Sequence, residues 1–281
     1  MNTAQPLPWD LWSRQVASVL RLEVKKSFLS RGALWIYLLA CAPVLLTGGH
    51  SLYEMARSQS DCSIPVDTLV FAGIFQFFYL RLGIYFGCVG IFTNLFRAEM
   101  LERTMHYYLL MPMRREVLLV GKYLAGLLAS GILFSLSVAA SYLLIAAHFG
   151  DEWREFLFAG QGMYQLAWYL VVTVLACVGY GAVFVLAGLV FRNPMIPAAV
   201  IMVWEAANAF LPPILQRLSV TFYLKSLSPV EIPVKGPLAL FAVNATPTPA
   251  WLAIPGLILV SLAILSWASR RVRNLEISYT E

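Results

Sequence analysis

Charge is scarce in this chain. Only 12% of its 281 residues are Asp, Glu, Lys or Arg while 60% are hydrophobic, against a charged share of about 25% in an ordinary soluble domain. That deficit excludes a soluble globular fold and makes lipid the expected solvent. Ten-residue stretches of alternating polarity are missing too, which excludes a membrane β-barrel. No G-x-x-x-x-G-K-[ST] loop is present to cradle a phosphate, no H-E-x-x-H pair to hold zinc, and no G-x-S-x-G elbow to present a nucleophile. The first 31 residues lack the continuous apolar core of a cleavable signal, because Asp10, Arg14, Arg21, Glu23, Lys25, Lys26 and Arg31 interrupt them. The four cysteines give no disulfide framework, since Cys41, Cys88 and Cys177 fall in apolar spans and Cys62 alone lies outside them. The three histidines, His50, His106 and His148, sit in separate segments, so no metal site is expected. A haem between His50 and His148, both near outer span ends, is a far rarer use than an ordinary interfacial histidine.

What is present is a series of apolar runs near or above the roughly 20 residues that a helix needs to cross a bilayer. The expected fold is an all-α integral membrane protein forming one transmembrane domain over residues 1–281, with six transmembrane helices at 33–53, 69–96, 123–148, 164–191, 195–211 and 251–267. An interfacial helix over 9–31 precedes them. Its face of Trp9, Trp12, Val16, Val19 and Leu20 opposes one of Asp10, Arg14, Ser18, Arg21 and Lys25, with Leu11, Leu22 and Glu23 breaking the apolar stripe. The proline-punctuated region 213–250 belongs to the outer side, packed on the surface or partly re-entrant, and carries an Asn244 sequon.

Orientation follows from the positive residues. With both termini cytoplasmic, 14 of the 20 lysines and arginines lie inside and 5 outside, leaving Arg81 within the membrane. Insertion bias and lipid contact account for the net charge of +5, so no nucleic-acid partner is expected. The membrane is the plasma membrane, or the inner membrane of a bacterium.

Three sets of residues carry specific expectations. Gly83, Gly87 and Gly90 share one helical face and permit close packing. Arg81 and Glu205, with Asn208 near the latter, are the deep polar groups; a charge there faces a bundle interior, a wet path or a partner. Pairing between Arg81 and Glu205 stays open, as their helical depths differ by roughly 9 Å. Nine aromatics between Phe71 and Phe96 either line an apolar path or fill helix gaps and face lipid. The third set is the charged island from Arg97 to Lys122, a segment with no reason to stay in lipid and accessible to a soluble partner.

In that island Glu99 and Glu102 precede Thr104, Pro112 follows eight residues later, Arg115 follows Pro112 by three, and Gly121-Lys122 complete the series. This pattern resembles the first cytoplasmic loop of the ABC-2 type transporter permeases. Arg103 departs from the glycine usual in the family. The resemblance implies a permease subunit of an ATP-driven ABC transporter, by family habit an exporter, in which residues 97–112 form a coupling helix seated in a separate ATP-binding subunit. It implies ATP and Mg on that subunit, none bound by this chain, no catalysis by the chain itself, and a second permease subunit, identical or not. Arg97, Glu99, Glu102, Arg103, Thr104, Pro112, Arg114 and Arg115 are the implied coupling residues, with the charged ones orienting docking. A solvated face that merely holds the loop out of lipid is the plain alternative. From another class, a stand-alone ion-coupled secondary transporter would use Arg81 and Glu205, but the paired repeats that favour it are not apparent.

Overall fold

The computed structural model describes residues 9–29, 34–57, 63–102, 104, 108, 110, 113–191, 193–207, 212–230 and 249–274. Among them there is helix and no strand. Helix α1 covers Trp9–Leu29 and α2 covers Leu34–Ala56; α3 (Ile64–Gly73), a π-helical stretch (Ile74–Gly83) and α4 (Ile84–Leu101) then run on as one rod. After it come α5 (Arg115–Ile145), a 3-10 turn (Ala147–Phe149), α6 (Asp151–Phe158), α7 (Gly162–Val190), α8 (Met195–Ala207), α9 (Pro213–Gln216), α10 (Val220–Ser226) and α11 (Ala250–Arg273).

Five of these are long and apolar enough to cross a membrane: α2, the α3–α4 rod, α5, α7 and α11. The chain is an all-α protein with multi-pass membrane character. The segment expected as a sixth crossing, 195–211, is described as the 13-residue α8, with Asn208 and 209–211 outside the described residues. Arg31, Cys62, His106, Arg192 and 231–248, including Asn244, also lie outside them.

Two boundaries move for physical reasons. The second span begins at Ile64 rather than residue 69, because Pro65 is favoured in a first helical turn, where its missing N–H has no partner to lose. Arg81 does not break this rod. It sits in the π stretch, whose closing bond runs from the Ile84 N–H back five residues to the Tyr79 carbonyl. The third long helix begins at Arg115 rather than 123, so Lys122 lies about two turns inside it. Pro43 and Pro255 stay within α2 and α11, as lipid-embedded helices permit.

Helix α7 is the central and most buried rod, packed by α4, α5 and α11, while α5 in turn is covered by α1 and α2. Small residues permit this. A Cβ on Gly188 would stand 2.9 Å from the Thr93 carbonyl oxygen, so the α4 and α7 backbones touch there. Gly87 and Gly90 lie under the Phe134 ring and Trp35, where an added Cβ would stand 2.2 and 2.3 Å from ring carbons, whereas Gly83 has only ordinary contacts. The rings of Phe71, Phe75, Tyr79, Tyr85, Phe92 and Phe96 are all buried. They fill the interior in edge-on contacts such as Phe71 with Tyr142 and Tyr169, and Tyr85 with Tyr180 and Phe184. Leucines such as Leu38, Leu45 and Leu52 on α2 and Leu259 and Leu262 on α11 point outward, a surface suited to lipid rather than water.

Gly188→Ala is expected to lower thermal stability in detergent by about 1–3 kcal/mol, because backbone cannot yield as a side chain can. Gly131→Ala, in open space on α5, should lose nothing. Thermal unfolding of both variants beside the parent chain checks the pair.

Candidate functional site

Lys122 is an ammonium with no access to solvent. It donates to Glu23 Oε1 at 2.6 Å, Glu99 Oε1 at 2.7 Å and the Leu95 carbonyl at 2.8 Å, which uses its three N–H groups completely. The Phe96 and Tyr108 rings stand 5.4 and 4.9 Å from the nitrogen, within cation–π range. The Tyr108 hydroxyl points at Glu23 Oε1 from 3.4 Å. Burial first, then the charges of Glu99 and Glu23, pushes the Tyr108 phenol well above its ordinary range, so it stays a protonated donor. Lys26 approaches Glu99 at 3.7 Å and Glu102 at 4.0 Å. Three carboxylates thus face two ammoniums: Glu23 and Glu99 are buried with Lys122, while Lys26 reaches from buried Glu99 to exposed Glu102.

The three buried charges are held by three different elements. Glu23 comes from α1, Glu99 from the last turn of α4 and Lys122 from the second turn of α5. Gly121 lets them meet: a Cβ there would lie 2.9 Å from Val19, so α1 can press directly on α5. The glutamate that breaks the apolar stripe of α1 is therefore the residue that turns that stripe into a docking face. An isolated glutamate on an otherwise apolar face was the available signal. Its partner could not be read from sequence, because Lys122 lies 99 positions away.

The expected coupling residues divide between clamp, cap and surface. Arg97 and Glu99 belong to the end of α4 rather than to a separate helix, and Glu99, expected among the docking charges, is 1% exposed and faces Lys122. The rod ends at Glu102, whose N–H bonds the Ala98 carbonyl, while the Thr104 N–H reaches back to the Glu99 carbonyl at 2.9 Å. This six-to-one bond satisfies a carbonyl that has no intrahelical partner at the end of the rod. Arg103 and Pro112 lie outside the described residues. Glu102 is exposed, and exposed Arg114 lies over the Trp12 ring at 4.7 Å. Arg115 turns to the last helix, donating to the Arg273 carbonyl at 2.7 Å, and Arg273 in turn pairs with Glu116. The loop ends thus join α1, α4, α5 and α11.

No protein-family model and no curated protein matches this chain. The geometry therefore carries the functional argument.

Arg81 and Glu205 line one pocket with Tyr85, Tyr180, Met202 and Thr221. Glu205 has a definite task there. Its carboxylate accepts the Val220 and Thr221 backbone N–H groups, both at 3.0 Å, and the Ser219 hydroxyl. It caps the start of α10 from another helix, satisfying donors that have no intrahelical partner. Lys225 on α10 is pushed down to about 8 by burial and then by the positive charge of Arg81.

At the far end of the bundle, two histidines from separate segments, both read as near outer span ends, come together. His50 and His148 both face Asp67. The aspartate at the start of the second span was the missed link, and only the packing of α2, α3 and the turn after α5 supplies it.

Lys122→Met is expected to cost about 3–5 kcal/mol, since it leaves two buried carboxylates uncompensated. Combining it with Glu23→Gln and Glu99→Gln should recover most of the loss, as thermal unfolding in detergent would show; no recovery would deny that charge is the cause. Glu205→Ala should cost about 1–3 kcal/mol through orphaned N–H groups, with Glu205→Gln less affected in the same assay.

Proposed function

We propose that this chain is the permease subunit of an ATP-driven transporter of the ABC-2 type. The observation that carries this reading is the bond between the two ends of the charged island. Glu99 and Lys122, which flank the loop, join at 2.7 Å together with Glu23 of the first helix. A loop anchored in this way is a lever. Force applied to residues 100–121 is delivered at once to α1, α4 and α5, and through Arg115 to α11, because packed interiors shift as bodies rather than deform.

In this reading the acidic residue and the Gly-Lys pair of the motif act as the fulcrum. Glu102 and Arg114 remain at the surface to meet an ATP-binding subunit, which would carry ATP and Mg. Six crossings with both termini in the cytoplasm put the loop on the ATPase side, with α8 extended as the fifth crossing. A second permease chain, as the resemblance implies, completes the route, and export from the cell across its plasma membrane is the direction proposed. An ion-coupled carrier is less well supported, because Glu205, the carboxylate it would have to load and unload, is committed to capping α10.

Affinity purification from the native membrane tests the reading. The parent chain is expected to bring down an ATP-hydrolysing protein, and a Glu102→Lys, Arg114→Glu double variant to lose it at least tenfold while staying monodisperse. Recovery of the parent chain alone, intact and without ATPase activity, would sink the assignment.

A further inference from the structure

The outer ends of α2, α3 and α5 bring four titratable groups to one place. His50 and Glu54 lie one turn apart on α2, Asp67 is in the first turn of α3, and His148 is in the 3-10 turn after α5. Asp67 is 2% exposed and the His148 side chain 4%. The donor atoms of His50, Asp67 and His148 all lie within 4.8 Å of one another.

The distances separate two explanations. His50 Nε2 and His148 Nε2 stand 3.6 and 3.7 Å from Asp67 Oδ2, too far for hydrogen bonds, which span about 2.7–3.2 Å. Two donors bound at a tetrahedral angle to a zinc ion at 2.0–2.1 Å stand roughly 3.4 Å apart. The spacing suits atoms that share an ion better than atoms that share a proton. Hydrogen-bond satisfaction points the same way. Among the described residues, Asp67 Oδ2 and both ring nitrogens of His148 are buried without a hydrogen-bond partner, a costly state unless something else meets them. Glu54 Oε2 is likewise buried and without one, and Glu54 is close enough to act electrostatically on Asp67.

We propose that His50, Asp67 and His148 form a three-ligand site for a single divalent transition-metal ion of the zinc type. Imidazole nitrogen beside carboxylate oxygen selects such an ion over magnesium or calcium, which favour all-oxygen shells. Three protein ligands leave a fourth position, and His50, with its side chain 35% exposed, is the edge through which the ion and a water enter. The ion cross-links α2, α3 and the end of α5, roughly 35–40 Å along α5 from the Lys122 clamp at 1.5 Å per residue. This site goes beyond the permease reading and stands without it.

The test uses the full chain in detergent, purified with a histidine-free tag, stripped with a chelator and titrated with zinc chloride by calorimetry. Binding of about one zinc per chain is expected, with a rise in Tm that magnesium chloride does not reproduce. His148→Ala and Asp67→Asn should each weaken zinc binding at least tenfold. His50→Ala, at the exposed edge, gives the same reading if the two buried variants fail to fold. The proposal is overturned if the stripped parent chain takes up no zinc at that stoichiometry, or if folded variants bind it as tightly as the parent does.

Discussion

The buried ammonium of Lys122 is the constraint on which the rest of this bundle depends. Taking a charge out of water costs several kcal/mol even after relaxation, and the cost is offset here only because all three N–H groups and the charge itself are answered. Those answers come from Glu23, Glu99 and the Leu95 carbonyl. Each must arrive at one height and rotation, so the depth of α1 against α5 and of α4 against both is fixed together. An apolar seam can slide by a turn with modest loss; a seam that holds a saturated ion cannot. Charged networks of this kind specify arrangement more than they add stability.

Between the ends of the bundle a different principle operates. In lipid there is no hydrophobic gain from bringing helices together, so contact depends on close approach and on side chains that satisfy each other. Gly188 against Thr93 and Gly87 under Phe134 supply the approach. Tyr79, bonded to Ser137 and Ser141 at 2.7 and 2.8 Å, and Tyr85, bonded to the Ala198 carbonyl at 2.6 Å, supply the satisfaction. The result is stiff in the middle and polar at both ends. Such a body transmits a displacement at one end to the other, which is the mechanical property the proposed function needs.

The polar groups at the two ends do different kinds of work. Near the loop the charges hold elements of the same chain together and leave Glu102 and Arg114 outward. Deeper in the bundle Glu205 caps the start of a short helix, and at the far end Asp67 Oδ2 and both ring nitrogens of His148 meet beside His50 without hydrogen-bond partners. A residue type in a span is therefore not a guide to its role. Arg81 and Glu205 are both deep charges by sequence, yet Glu205 serves as a cap, while Arg81 is accommodated within a π-helical turn of an unbroken rod.

Apolar run length and periodicity determined the all-helical membrane character, the central positions of the long helices and the amphipathic start, because those follow from local pattern and from the width of a bilayer. Helix ends were less legible. The charged island up to Lys122 read as preceding the third span, although Glu116 and Lys122 lie inside α5. Close packing at Gly87 and Gly90 was visible as spacing, and their neighbours Phe134 and Trp35 were not. Only the tertiary structure decided that Glu23 meets Lys122, that Glu205 receives the N–H groups of α10, and that His50 and His148 share Asp67. Each of these links joins residues on different elements, and a pattern with a period of a few residues carries no information about which distant helix faces it across the core.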